Sequence, residues 1–104
     1  MARKARSPSK AEGRDGVVRR TVTIVNQRGL HARAAARVAK LAEQYAAGIT
    51  VSANGISVSA LSIMGLMLLA AGPGTEVEIS ASGNGASEAV YALAALVEAG
   101  FDED

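Results

Sequence analysis

The segment ITVSANGISVS, residues 49–59, is the strongest single constraint on the fold of this 104-residue chain. Its Asn54-Gly55 pair is a preferred two-residue type I′ turn, in which both central residues need positive φ. In the register that this turn imposes, Val51 lies opposite Val58 on an apolar face, and Thr and Ser residues meet on the other face. A hairpin with one apolar and one polar face predicts a sheet that is covered on one side only.

The rest of the chain alternates between strand-like and helix-like hydrophobic spacing. The predicted strands are Arg20–Asn26 and Thr75–Ala81, and the predicted helices are Ala32–Ala47, Ser62–Gly72 and Ala86–Ala99. Gly48 is expected to end the first helix, and Ser62 to cap the second. The order β-α-β-β-α-β-α predicts an α+β fold in which three helices stack on one face of a four-stranded antiparallel sheet.

The buried side of the last predicted helix has two possible compositions. It is either Ala89, Leu93 and Leu96 or Val90, Leu93 and Val97, because both sets follow helical spacing.

Charge is distributed unevenly, although the net charge is only +1. Residues 1–20 carry seven basic and two acidic side chains, a net +5, and the remainder carries four basic and eight acidic, a net −4. Since residues 1–18 have almost no apolar side chains to bury, they are predicted to form a disordered basic arm before a domain at residues 19–104. The arm is interpreted as a solubilising extension. Contact with anionic lipid or nucleic acid is the alternative, and the lack of interleaved aromatic residues argues against nucleic acid.

Composition excludes several classes of site. The chain has no cysteine, so disulfides and thiolate metal sites are impossible, and its one histidine argues against any metal site. The longest apolar stretch, Ile63–Ala71, is far shorter than the ~20 residues of a membrane span. The basic N-terminus has no apolar segment behind it, unlike a secretory signal. A cytoplasmic protein without membrane insertion is expected.

The single histidine, His31, lies at the predicted start of the first helix, directly after Gly29-Leu30. A helix start carries unpaired amides and partial positive charge, which favour phosphate and disfavour a protonated imidazole. Arg33 can add a charge-assisted hydrogen bond to phosphoryl oxygens. The position therefore allows phosphoryl transfer to a ring nitrogen, but on position alone a helix-capping or merely exposed histidine is the more common explanation.

Two separated motifs, GLHARAAA (residues 29–36) and SIMGLMLLAAGPGTEVEI (residues 62–79), resemble the HPr family. This family comprises the histidine-containing phosphocarriers of the bacterial phosphoenolpyruvate-dependent phosphotransferase system, and the likeness runs from about Thr21 to Phe101. The resemblance implies an open-faced β-sandwich in the β-α-β-β-α-β-α order. Family members commonly have proline where this chain has Ala34.

The resemblance also implies roles for individual residues. His31 matches the histidine that accepts a phosphoryl group from phosphorylated Enzyme I and passes it to an EIIA-type domain, and Arg33 matches the arginine beside it. The backbone amides of Ala32 and Arg33, with the Arg33 side chain, are expected to hold the phosphate. The implied protein is a monomeric carrier intermediate of sugar transport or regulation that needs no cofactor, not a turnover enzyme.

A second implied site lies at the next helix. Ser62 matches a serine that an ATP-dependent HPr kinase/phosphorylase modifies in some bacteria, although a simple helix cap is the alternative. Ile63, Met64 and Met67 match positions that dock onto Enzyme I, whereas helical spacing alone would place such residues in the core. The alternative function is a regulatory binding module of this fold that docks partners through the Met64 face and transfers nothing.

Overall fold

The computed structural model describes residues 16–103, which form four strands and three helices in the predicted order. The strands are β1 (Val18–Thr23), β2 (Gly48–Ala53), β3 (Ile56–Ser59) and β4 (Glu76–Ser82). The helices are α1 (Ala32–Ala42), α2 (Ile63–Leu68) and α3 (Ala86–Glu98), followed by a short turn at Gly100–Asp102. Within this range no helix has the length and apolar character needed to cross a membrane.

The predicted basic arm falls mostly outside the described residues. Its last three residues, 16–18, are described, and Val18 among them is buried and begins β1. The folded domain therefore starts at least one residue earlier than the predicted boundary at residue 19.

Within residues 16–103 the strands form one antiparallel sheet in the order β1-β4-β2-β3. The central hairpin has the predicted register, with Val51 opposite Val58 and Ser52 opposite Ser57. Asn54 has φ +52° and Gly55 has φ +80°, as a type I′ turn requires. The Ser52 and Ser57 hydroxyls lie 2.7 Å apart on the polar face.

The helices cover the opposite, apolar face of the sheet, as predicted. The inward residues of β4 are buried, namely Val77, Ile79 and Ala81. Of the two sets proposed for the buried side of α3, the set Val90, Leu93 and Val97 is buried, together with Ala89. Leu96, from the other set, is only partly buried. The buried stripe of α3 is Ala86, Ala89, Val90, Leu93, Ala94 and Val97.

The predicted bounds of β1 are wrong by two to three residues, since the strand spans Val18–Thr23 instead of Arg20–Asn26. Its pairing with β4 ends near Ile24, whose amide donates to the Thr75 carbonyl (2.9 Å) and whose carbonyl accepts from the Gly74 amide (2.9 Å). Beyond this point the chain leaves the sheet and turns toward His31.

The predicted end of α1 is also wrong. The helix ends at Ala42, not at Ala47. The amides of Gln44 and Tyr45 bond to carbonyls three residues earlier, at 3.1 Å each, and such bonds tighten the chain into a turn. Gly48 is the first residue of β2 and not a helix terminator.

Helix α2 is shorter than the predicted Ser62–Gly72 segment. Its cap is confirmed, because the Ser62 hydroxyl accepts a hydrogen bond from the Gly65 amide at 2.9 Å. Ala70 then has φ +53°, a left-handed conformation that ends helices, and the chain returns to the interior at Ala71.

Candidate functional site

A tight turn presents His31 at the edge of the domain. The Gly29 amide donates to the Asn26 carbonyl (3.2 Å), and the Asn26 side-chain amide donates to the Gly29 carbonyl (3.0 Å). Gly29 has φ +62°, and a Cβ there would lie 2.3 Å from the Ala71 carbonyl oxygen. The next amide, that of Leu30, donates to the same oxygen at 2.9 Å. The turn is therefore seated directly on the segment that follows α2, and only glycine fits it.

His31 is the N-cap residue of α1, with an extended backbone (φ −77°, ψ −178°). Its side chain makes no capping hydrogen bond, so the ring is not used to end the helix. The His31 carbonyl accepts from the Ala35 amide at 2.8 Å. The Ala35 amide is thus the first to be bonded within the helix, and the three amides before it, those of Ala32, Arg33 and Ala34, have no acceptor there. The helix start thus supplies donors and partial positive charge next to the ring.

The imidazole has an acidic partner from the far end of the chain. His31 Nε2 is hydrogen-bonded to Glu103 Oε2, and the Asn26 side-chain amide donates to Glu103 Oε1 at 2.8 Å. Both ionisable side chains are largely covered, with 15% of His31 and 14% of Glu103 exposed. The hydrogen bond from Asn26 and then that from His31 hold the pKa of Glu103 below its usual range. Glu103 is therefore an ionised carboxylate at neutral pH.

Three arginines line an open cleft of about 510 Å³ beside this pair, here called the arginine cleft. Its lining is Gln27, Arg28, Arg33, Arg37, Asp102 and Glu103. Arg33 and Arg37 lie four residues apart on α1, a spacing that places side chains on the same face of a helix. The Arg37 guanidinium also donates to the Phe101 carbonyl, which ties α1 to the C-terminal turn. The cleft has the charge needed to receive a phosphoryl group.

The structure places the predicted phosphate-site residues together. Ala32 and Arg33 are exposed in the first turn of α1, directly after His31. No hydrogen bond joins Arg33 to His31 among residues 16–103, so Arg33 contributes as part of the cleft wall. The described residues also contain no group of three or more acidic or histidine side chains that could hold a metal ion.

An exposed apolar surface surrounds α2 and is here called the α2 face. It consists of Leu61, Ile63, Met64, Met67 and Leu68, whereas Leu66 between them is fully buried. Met64 is 78% exposed and Leu68 is 69% exposed. The exposure of Ile63, Met64 and Met67 rules out the alternative that they are core residues. Leu61 and Leu68 were not predicted, although Leu68 follows Met64 by four residues and so shares its side of the helix.

Sequence reasoning also missed several polar residues of the site, among them Asn26, Arg28, Arg37 and Glu103. The spacing of Arg37 from Arg33 is a local signal that could have identified it. Glu103 has no such signal, because it reaches His31 across 72 positions of sequence. Phe101 is an indirect signal, because a single phenylalanine after α3 suggests that this part of the chain is anchored in the core.

Comparison with known proteins now identifies the family. The family model described as "PTS HPr component phosphorylation site" matches residues 18–99. The chain belongs to the HPr family. An HPr phosphocarrier protein of Cupriavidus necator is 44% identical over 87 residues, which cover 84% of this chain and 98% of that protein. An NPr phosphocarrier protein of Shewanella violacea is 44% identical over 84 residues, which cover 81% and 92%.

Solved structures agree with this assignment. The crystal structure of HPr-C-His from Thermoanaerobacter tengcongensis superimposes with a TM-score of 0.78 at 40% identity and covers 83% of this chain and 97% of that one. The HPr fold expected from the two sequence motifs is thereby confirmed. As a member of the HPr family, the chain is a phosphocarrier protein of a phosphotransferase system.

Proposed function

We propose that this chain carries a phosphoryl group on His31, which it takes from phosphorylated Enzyme I and passes to an EIIA-type domain in the cytoplasm. The observation that carries the proposal is the placement of the only histidine at the start of α1, beside the arginine cleft. The protein acts as a monomeric intermediate that is itself phosphorylated and dephosphorylated, not as a turnover enzyme, and it needs no cofactor.

The hydrogen bond to Glu103 supports an assignment of the accepting atom. An ionised carboxylate can only accept hydrogen bonds, so the Nε2 atom of His31 must carry the proton. In the neutral ring the lone pair then lies on Nδ1. We therefore assign Nδ1 as the nucleophile that bonds to phosphorus.

The phosphorylated ring has two sources of stabilisation. The amides of Ala32 and Arg33 are the first donors of α1, and the helix start favours an anion. The guanidinium groups of Arg28, Arg33 and Arg37 line the arginine cleft and can pair with phosphoryl oxygens. Donors and cations of this kind hold the phosphoryl group loosely enough to pass it on, because most of them remain in contact with solvent.

The α2 face is the proposed docking surface for Enzyme I and for the EIIA-type domain. Its large exposed apolar side chains, including Met64 and Met67, can adapt to more than one partner. The turn at Gly29 packs on the segment after α2, so a partner seated on this face is close to the start of α1.

Ser62 is the proposed regulatory site, modified by an HPr kinase/phosphorylase. It is exposed and caps α2 through its hydroxyl. Gly65 leaves room for that hydroxyl, since a Cβ on Gly65 would lie 2.9 Å from the Ser62 Oγ. A phosphate here would be tolerated by the helix start but would put charge beside the α2 face, which weakens docking without altering His31.

A labelling experiment tests the proposal. The protein is incubated with Enzyme I and ³²P-labelled phosphoenolpyruvate, and the label is expected to be lost in acid but retained in base, as for phosphohistidine. His31→Ala should take no label although it remains folded at the assay temperature, and Ser62→Ala should be labelled like the wild type. Label on His31→Ala would contradict the assignment of the acceptor.

The α2 face also favours the second candidate, a regulatory module that binds partners and transfers nothing. Under that function the wild type would bind Enzyme I in a pull-down but would acquire no acid-labile phosphate. Acid-labile phosphate on the wild type dismisses it.

A further inference from the structure

The chain after α3 is shaped to return toward the start of α1. Gly100, Phe101 and Asp102 have φ values of +65°, +58° and +62°, so three successive residues take the left-handed conformation. This conformation is unfavourable for phenylalanine and must be held by its surroundings. The Phe101 side chain is fully buried, and its carbonyl accepts a hydrogen bond from Arg37. The C-terminal turn is thus anchored on both its side-chain and its backbone groups.

This anchor delivers one carboxylate to the imidazole. Directly after the turn, Glu103 bonds through one oxygen to His31 Nε2 and through the other to the Asn26 side chain, 2.8 Å away. Asn26 itself is held by its second hydrogen bond, to the Gly29 carbonyl. The carboxylate is therefore fixed by the same turn that presents the histidine.

We propose that Glu103 is a positioning residue for phosphoryl transfer, because its carboxylate keeps the proton of His31 on Nε2 and faces the positive charge that the ring gains when Nδ1 is phosphorylated. The inference rests on the function proposed for His31 and adds a residue outside both motifs that identify the family. It assigns a role to the carboxylate that directly follows the C-terminal turn.

The Nδ1 lone pair forms a bond to phosphorus, and the bond between phosphorus and the donor breaks with its electron pair left on the donor. The Nε2 proton stays in place, so the phosphorylated ring carries a positive charge opposite the Glu103 carboxylate. When the phosphoryl group passes to an acceptor, the pair returns to Nδ1 and the ring is neutral again. A carboxylate that orients an imidazole and faces its developing charge has the same effect in hydrolytic triads.

A competing effect makes the proposal refutable. Glu103 also lines the arginine cleft and would repel a dianionic phosphoryl group. If repulsion were its main effect, removal of the carboxylate would speed phosphorylation. If positioning is its main effect, removal slows it.

The test combines proton NMR with a direct phosphorylation assay on tag-free protein. Because the chain has a single histidine, a downfield imidazole N–H signal can be assigned to His31 without ambiguity. Phosphoramidate serves as the phosphoryl donor, since this small molecule needs no docking surface. The variants are Glu103→Ala, Glu103→Gln, which keeps an acceptor oxygen, and Glu88→Gln, which removes an exposed carboxylate at the start of α3, outside the arginine cleft.

The wild type and Glu88→Gln are expected to show the N–H signal and equal rates of phosphorylation. Glu103→Ala should lose the signal and react about tenfold more slowly, the lower range for loss of a partner that orients a histidine. Glu103→Gln should recover part of the N–H signal and part of the phosphorylation rate. A purely structural role would not produce this partial recovery. A Glu103→Ala rate equal to or above the wild-type rate overturns the positioning role alone. Absence of phosphorylation on the wild type instead overturns the proposed function, and this inference with it.

Discussion

Replacement of Gly29 by alanine tests whether the turn that presents His31 depends on its close contact with the segment after α2. Two costs are expected. The left-handed backbone (φ +62°) costs an alanine about 1–2 kcal/mol, and the smaller entropy of the unfolded chain offsets roughly 0.4–1 kcal/mol of it. The second cost is specific to this site, because the new Cβ would lie 2.3 Å from the Ala71 carbonyl oxygen. Relief of that clash breaks the Leu30–Ala71 hydrogen bond and leaves buried groups unpaired, which costs roughly 1–3 kcal/mol.

The hairpin provides the matched control. Gly55 also has positive φ, +80°, but a Cβ there would have no atom within 4 Å. Gly55→Ala should therefore lose only the backbone contribution, about 1 kcal/mol. Gly29→Ala should lose about 3 kcal/mol in all.

Thermal unfolding followed by circular dichroism measures both variants. At about 4–8 °C per kcal/mol for a domain of this size, Gly55→Ala should lower the Tm by roughly 5 °C and Gly29→Ala by roughly 10–25 °C. Phosphorylation of Gly29→Ala below its Tm should also be slower, because His31 is displaced. Equal Tm values for the two variants would refute the argument that the Ala71 contact defines the turn.

Three further outcomes are expected. Met64→Glu should slow phosphorylation by Enzyme I but not by phosphoramidate, because only the former needs the α2 face; equal slowing with both donors would contradict docking there. Ala34→Pro introduces the residue that is common in the family and should raise the Tm by roughly 2–6 °C, because it stiffens the first turn of α1. A lower Tm would show that this fully buried position has no room for the proline ring. The pKa of Glu103 is lowered by folding, so its stabilising effect is present above the usual carboxyl pKa and is lost as the pH falls through the lowered value. The Tm advantage of the wild type over Glu103→Gln should therefore be full above the usual carboxyl pKa and shrink as the medium becomes more acidic than the lowered pKa. An advantage that grows in acid would contradict an ionised carboxylate.

The sequence predicted those parts of the fold that depend on neighbouring residues. Asn54-Gly55 encodes a turn that needs positive φ at both positions, and that turn alone determines which residues of β2 and β3 face each other. The Ser62 cap was predictable for the same reason, since it needs only the backbone amide of the next turn of the helix.

Helix and strand ends were less predictable, because tertiary contacts determine them. The alanine-rich sequence after Ala42 could continue as a helix by intrinsic preference. In the fold the chain turns there to enter β2, so α1 stops before its apolar spacing does. Similarly, Ala70 adopts a conformation unusual for alanine so that Ala71 can receive the Leu30 amide.

The residues of the candidate site also fall into two groups, those placed by neighbouring residues and those placed by tertiary contacts. His31, Ala32 and Arg33 were predicted because the helix start that gives them a role is local. Glu103 was not predictable, since its role depends on the left-handed turn at Gly100–Asp102 and on the burial of Phe101 far from His31 in sequence. Local patterns thus point to His31 as the proposed phosphoryl acceptor, and only the structure shows that Glu103 is hydrogen-bonded to it.

The central claim is that a phosphoryl group resides on His31 and is then passed on. The most direct measurement is ³¹P NMR of protein that has been phosphorylated by Enzyme I and phosphoenolpyruvate and separated from both. The account predicts one phosphohistidine signal, with phosphorus on Nδ1, that disappears as an added EIIA-type domain becomes phosphorylated. A phosphoserine signal alone, or a phosphohistidine signal that persists in the presence of that domain, would contradict it.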